Sequence, residues 1–425
     1  MARTPNRIVV ALGMVLLLVT VVSCASAPNT TSTTSQPTRT LLPAPADSGQ
    51  DSLWGFIDTH GNWVIKPQFQ GAMRFEEGLA PIKLGDLWGY VDQNGTAVIP
   101  PQYTEAHYFN NGLARVATRP APDPTDHWLV TATGYGFIDK TGKWVIPAKW
   151  DDAGEFSDGL APVMQGSVCG FIDTTGKVVI PLKFESVLSF SEAEGLAPAE
   201  SDGKWGYISE NGWWAIEPRY GTGDALTGIP DTAWSSPAGR FENGRAWVTV
   251  PYSRTFSDGS SESGSHQQCI KSSGEQAFEG AYDYVGDFSE GLAPVEVTDQ
   301  SGDLQWSFID PSGATVIKGQ FFMSLDGLIM DGGGFHQGLA AVQIDSEVGY
   351  IDKTGKFVVP PQFAAGGGFS DGYAYVYGEK HPSLGAGVPS TLILQATRGL
   401  EIIDLTGRVI YQAPAASGSG SISSP

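Results

Sequence analysis

Trp54-Gly55-Phe56-Ile57-Asp58-Thr59-His60-Gly61-Asn62-Trp63-Val64-Ile65-Lys66-Pro67 decides the fold. In Trp54-Gly55-Phe56-Ile57 successive side chains point to opposite faces of a strand, aromatics on one and Gly with a branched residue on the other. Asp58-Thr59-His60-Gly61 reads as a tight hairpin. The Asp carboxylate accepts backbone N–H groups further on, and Gly takes the left-handed conformation other residues resist. Trp63-Val64-Ile65 is the returning strand, and Pro67, with no N–H to give a ladder, closes it. A second phrase comes next, Phe75-Glu76-Glu77-Gly78-Leu79-Ala80-Pro81-Ile82, read as an aromatic plug, a glycine turn and a third strand.

The pair of phrases recurs. Further openings are Trp88-Gly89-Tyr90, Tyr135-Gly136-Phe137, Cys169-Gly170-Phe171, Trp205-Gly206-Tyr207, Gln267-Gln268-Cys269, Trp306-Ser307-Phe308, Val348-Gly349-Tyr350 and a worn Leu400-Glu401-Ile402. The Asp-x-x-Gly turn returns at Asp92, Asp139, Asp173, Asp310, Asp352 and Asp404. One carboxylate per turn falls far short of the roughly six to eight oxygens calcium takes, so these are turns and not calcium loops. The plug recurs at Phe109, Phe156, Phe241, Phe288, Phe335 and Phe369, with a two-residue insertion after Phe190.

This array resembles the WG-repeat family of bacterial proteins, named for the Trp-Gly pair that stands here at Trp54, Trp88 and Trp205. The resemblance covers about residues 54–411 and implies an all-β repeat architecture, usually without known enzyme activity. The residues themselves predict that each third strand pairs with the next opening strand. The expected fold is therefore all-β: tandem three-stranded antiparallel units in a propeller-like ring or tight spiral, or alternatively a β-hairpin solenoid. The array reads as eight full units plus a degenerate final half, with a disordered tail over 412–425.

Ahead of the array lies an export signal. Arg3 and Arg7 precede an uncharged apolar run, Ile8 to Val22, too short to span a membrane. Val21-Val22-Ser23-Cys24 resembles the bacterial lipobox, which implies a signal peptide over 1–23 and lipid attached at Cys24. Two or three acyl chains hold a protein on a membrane where one is marginal. Residues 24–53, rich in Pro, Thr and Ser, read as a flexible tether. The expected location is the extracytoplasmic side of a bacterial membrane, the outer one where the organism has two.

Composition narrows the function. A net charge of −21 offers no basic face for nucleic acid. Cys169 and Cys269 fall on core positions and read as buried thiols. The histidines show no metal spacing, no nucleophile elbow, phosphate loop or dinucleotide fingerprint is present, and no cofactor is expected. No catalytic residue is assigned. The chain reads as a non-catalytic binding or interaction scaffold with a protein or glycan partner in the envelope. Alternatives are a carbohydrate or cell-wall-binding module and an undetected hydrolase with paired carboxylates.

Recognition is expected in the insertions. Segments 119–133, 252–266 and 378–398 fall between a third strand and the next opening strand, and 221–238 and 322–334 come after a second strand. Trp128 and Trp234 are the tryptophans outside the repeat frame, read either as aromatic binding platforms or as loop packing. The ten within the frame are expected in the core. The anchor reading is tested at Cys24: Cys24→Ser is expected to abolish fatty-acid labelling and to move the protein from the membrane fraction to the soluble one.

Overall fold

The computed structural model describes residues 39–49, 51–118, 134–221, 237–255, 260–298, 304–321, 333–344, 347–378 and 399–414. Among them the strands form nine small antiparallel sheets, with no helix. Each sheet is built on one of the nine openings, and we number them as blades by that strand, which is the middle strand except in blade 6, whose sheet has two strands. Blades 1 to 5 carry Trp54–Ile57, Leu87–Asp92, Gly134–Asp139, Val168–Asp173 and Lys204–Ser209; blades 6 to 9 carry Ser261–Lys271, Leu304–Ile309, Glu347–Asp352 and Leu400–Asp404. In blade 2 the lead strand Leu79–Leu84 and the trailing strand Ala97–Tyr103 flank the middle strand, as expected for a third strand joining the next opening.

Two strand-level expectations change. Five of the sheets have a fourth strand ahead of the lead strand, often two residues long, as at Gly71–Ala72. The ladder there is short because Pro81, next along the lead strand, has no N–H to give. The trailing strand does not stop at its proline either. It runs through Pro67 to Phe69, with a register shift between Trp54 and Phe56 that places the proline in a bulge.

That bulge explains the Trp-Gly glycine. A Cβ on Gly89 would sit 2.5 Å from the Ile99 carbonyl oxygen and 2.6 Å from the Pro101 nitrogen, so only hydrogen fits. Blade 7 solves the same crowding from the other side. Ser307 replaces the glycine, and Gly319 replaces the facing proline, its missing Cβ leaving room for Ser307 Oγ.

Blades join through two contacts. The plug phenylalanine ahead of a lead strand packs with tilted rings on the middle-strand aromatic of the blade before, as Phe75 on Phe56 at 4.8 Å, Phe109 on Tyr90 at 4.9 Å, Phe156 on Phe137 at 4.7 Å and Phe241 on Tyr207 at 4.7 Å, whereas Phe288 stacks on Trp247 of the blade 6 lead strand. The turn glycine lies against a branched residue of the preceding trailing strand. Gly95, at φ 81°, leaves only 3.0 Å between a would-be Cβ and Ile65 Cγ2. A separate apolar cluster fills each junction, and the lead-strand alanines Ala80, Ala114, Ala161 and Ala293 are fully buried in them.

The array closes on itself. Leu41, Leu42 and Ala44 are buried, and Leu42–Pro45 pairs antiparallel with Trp54–Ile57 to complete blade 1. Tyr375 of blade 9 donates its hydroxyl to the Pro43 carbonyl at 3.0 Å, Tyr411 donates to that of Pro45, and Ser48 N–H to that of Pro414 at 2.7 Å. Trp63 meets Tyr411 edge-on at 5.7 Å, the contact Trp144 makes with Tyr103 between blades 3 and 2. Arg74 of blade 2 even reaches Ser370 ahead of the blade 9 lead strand at 3.2 Å, across blade 1. The propeller-like ring is the outcome.

Three boundaries therefore move. The tether expected over 24–53 stops before residue 39 on the described side; residues 39–49 and 51–53 belong to the ring, and 24–38 lie outside the described residues. Leu41-Leu42-Pro43-Ala44 takes the register of Leu79-Ala80-Pro81-Ile82, Pro43 facing Phe56 as Pro81 faces Tyr90. The final half unit becomes a full blade, because the lead strand of unit eight, Tyr373–Tyr377, pairs with Leu400–Asp404. At the other end Gln412 closes the last strand and Ala413 is buried against blade 9, so both belong to the ring, and 415–425 lie outside the described residues.

Phe156 is 3% exposed at the junction of blades 3 and 4. Phe156→Ala is expected to cost about 3–5 kcal/mol, read as a lowered thermal midpoint with loss of protection in both neighbouring blades by hydrogen exchange. Starting the chain at residue 50 removes Leu41 and Leu42, worth roughly 3 kcal/mol or more together. It is expected to open the ring, with proteolysis beginning in blades 1 and 9.

Candidate functional site

Register assigns every connection to one of two ends. Tight glycine turns, Asp-x-x-Gly except at Ser209 and Lys271, leave from the close of each opening strand, and the plug turns enter the lead strands directly opposite, Leu79 facing Asp92. These share the turn end. At the other end lead strands finish and trailing strands finish: Thr118 faces Gly134, Tyr220 faces Trp205, Phe321 faces Trp306 and Tyr377 faces Leu400. The sequence placed three insertions on one connection and two on another. The fold brings the borders of all five to this second end.

The turn end is uniform and saturated. Asp139 Oδ1 accepts the Thr141 hydroxyl at 2.6 Å and the N–H groups of Thr141 and Lys143 at 2.9 and 3.1 Å, and the Thr141 hydroxyl above all holds this carboxyl below its usual range. Asp173, Asp310, Asp352 and Asp404 repeat the arrangement. In the plug turns other than the longer one after Phe190, an L-residue and a glycine both take positive φ, 49° at Glu77 and 90° at Gly78. That residue's side chain reaches the next blade. Glu77 accepts the Gly112 N–H at 3.0 Å, Glu290 that of Gly338 at 3.0 Å and Gln337 that of Gly372 at 2.6 Å.

One place at this end departs from the pattern. Trp213 comes after Gly212 where other repeats carry Asn62, Thr96, Lys143, Lys177 or Lys356, and it is 73% exposed. Its neighbour Trp214 instead packs edge-on against Phe184 at 5.5 Å. The expectation that all frame tryptophans are core fails here, and less sharply at Trp63, 36% exposed. The signal was present in Trp213-Trp214: adjacent strand residues face opposite sides, so one of the pair had to leave the core. On the same turn Glu210 shares a hydrogen bond with Asp158, which, with burial, raises the Glu210 carboxyl above its ordinary range.

The insertion end is varied. Segment 252–266 is mostly a regular hairpin, Arg245–Thr255 paired with Ser261–Lys271, and not an irregular loop. Tyr252 lies over Gly264 and 5.8 Å from the His266 ring on one face. Exposed Ser253, Thr255, Ser261, Ser263 and Ser265 lie on the other. Beside the 119–133 borders Tyr135 donates to Glu105 at 2.8 Å under the Arg115 guanidinium, and Lys149 covers the buried Trp150 ring at 4.5 Å. Glu200, fully buried, faces Trp205, and the equivalent lead-strand positions hold Lys83 and Gln343.

Trp128, Trp234 and Cys24 lie outside the described residues. Cys169 and Cys269 are buried thiols outside any disulfide, as expected, and burial pushes each up to about 12. His107, beside Arg115, is driven down to about 4 by burial first and then by that guanidinium, so it stays neutral. Among the described residues no three His, Cys, Asp or Glu side chains converge as a metal site.

A family model for a WG containing repeat matches residues 54–88, 88–118, 135–169, 170–205, 269–299 and 349–377. No curated protein matches the sequence. A crystal structure of a eukaryotic initiation factor aligns over 88% of this chain and 96% of its own, at 11% identity and a TM-score of 0.49. The β-propeller domain of the Trilobed protease from Pyrococcus furiosus aligns over 89% and 99%, at 9% identity and 0.36. The V. cholerae biofilm matrix protein Bap1 aligns over 88% and 86%, at 7% identity and 0.33.

Proposed function

We propose that this chain, which belongs to the WG-repeat family, is a non-catalytic interaction scaffold held on the outer side of a bacterial membrane by lipid at Cys24. The observation that carries the reading is the division of the ring into two ends. Every turn-end connection is constrained by hydrogen bonds and left-handed backbone. The insertion end is free to change length without disturbing a blade, because the strands bordering each insertion are already paired. Repeat proteins place recognition on such a face, and a binding surface assembled from several blades needs no catalytic group.

The partner is a protein or glycan of the envelope, captured at the insertion end by segments including Trp128 and Trp234. The protruding hairpin, with its tyrosine–histidine face and its hydroxyl face, belongs to the same surface. A net charge of −21 keeps the exported ring soluble and away from nucleic acid.

The test uses the partner recovered by pull-down from envelope extract. Replacing 379–398 with a short Gly-Ser bridge, and separately Trp128→Ala, is expected to weaken capture at least tenfold with melting unchanged, as loss of a central aromatic contact does. Wild-type affinity in both variants moves recognition off this end.

A further inference from the structure

Backbone hydrogen bonds fix which way the blade 6 hairpin turns its edges. Thr249 donates its N–H to the Pro237 carbonyl at 2.7 Å and accepts that of Gly221 at 2.9 Å, and the Trp247 carbonyl accepts the Gly239 N–H at 2.8 Å. On the paired strand Gln267 exchanges N–H and carbonyl with Tyr282, at 2.7 and 3.2 Å, and the Cys269 carbonyl accepts the Ala277 N–H at 2.9 Å. Odd-numbered residues of both strands therefore aim their backbone groups away from the hairpin. The register of Arg245–Thr255 against Ser261–Lys271 runs without a shift. Alternation carries the same orientation out to Pro251 on one arm and to Ser265, Ser263 and Ser261 on the other.

The two edges of the hairpin differ. Pro251 has no N–H to offer, so its edge is blunted. The serine edge carries no such guard. Ser261, Ser263 and Ser265 are exposed, uncharged and small, and no bulge interrupts them. Among the described residues no backbone group bonds to them on that side. Their N–H and carbonyl groups extend the line that the Gln267–Tyr282 pair begins, a template for one more strand.

We propose that Ser261–Ser265 is a self-association edge, to which a second copy of this chain adds its own Ser261–Ser265 strand antiparallel about a two-fold axis. Centred on Ser263, the register is self-complementary. Ser263 meets Ser263, Ser261 meets Ser265, and each pair exchanges both N–H···O bonds. Between them Glu262 falls opposite Gly264, so no like charges are set against each other. Charge selects a second copy as the occupant. A chain of net charge −21 repels itself across most faces, whereas this strip sets only hydroxyls and a glycine against its own image. The paired hairpins run in opposite directions, which turns the insertion ends of the two rings toward each other. Two such short strands bury less than the roughly 1,200 Å² of stable complexes, so the dimer is weak and concentration-dependent. It rests on backbone groups alone and is independent of what the insertions capture.

The test is sedimentation velocity of the full chain in excess density-matched detergent, over about 5–500 μM, the range in which so small a contact forms. The wild type is expected to pass from monomer to dimer as concentration rises, and more readily at high salt, where repulsion between the acidic rings is screened. Ser263→Pro removes an N–H that points away from its own hairpin. It is expected to weaken dimerisation about tenfold or more with melting unchanged, since the two-fold doubles each lost bond. Ser263→Ala keeps both backbone groups and is expected to dimerise as the wild type does. Amide exchange supplies a readout that needs no variant. In the wild type it is expected to slow with concentration at Ser261, Ser263 and Ser265, and to stay constant at Gly264, whose N–H faces into the hairpin. A monomer throughout overturns the proposal, as does a dimer that Ser263→Pro leaves intact or that Ser263→Ala disrupts equally. Exchange at the three serines that ignores concentration overturns it too.

Discussion

The whole ring depends on the fit of one blade's turn against the strand of the blade before. A glycine in the left-handed conformation brings its bare Cα against an isoleucine or valine of the preceding trailing strand, at Gly95 on Ile65, Gly142 on Ile99 and Gly176 on Ile146. A side chain there would meet both a strained φ and a neighbour at about 3 Å, so one residue type satisfies backbone and packing together. The plug phenylalanine makes the second half of the junction. No blade buries its own two faces, which is why the repeat must be written many times and why its last copy must meet its first.

Closure puts unusual weight on residues 41–48. They supply the lead strand that blade 1 lacks and the carbonyls that Tyr375 and Tyr411 seek, so one short segment serves two blades. The lipid anchor proposed at Cys24 precedes this strand in the chain.

The two ends differ for a reason of hydrogen bonding. At the turn end Asp and Glu oxygens accept N–H, hydroxyl or ammonium groups from their own or the next blade, so substitution there disturbs two blades. At the insertion end the strands finish fully paired, and no blade relies on the length of the segment that joins one strand to the next. Lengths vary freely there, from the two-residue turn of Gly85-Asp86 to segments of about twenty.

The strand periods, the Asp-x-x-Gly turns, the plug phenylalanines and the buried cysteines were legible in the sequence, because each is fixed by local backbone chemistry or by alternation within a few residues. Pairing of each third strand with the next opening came from chain order. Contacts between residues far apart in the chain were not legible. Nothing local in Leu41-Leu42-Pro43-Ala44 distinguishes a strand from a tether; it becomes one because an unpaired edge at Trp54–Ile57 and the apolar face of blade 9 await it. Nothing local separates a bulge proline from a terminal one until the facing glycine is in place. The exposure of Trp213 was half visible, since alternation required one of two adjacent tryptophans to face out. Which one did so was decided only when the blades packed.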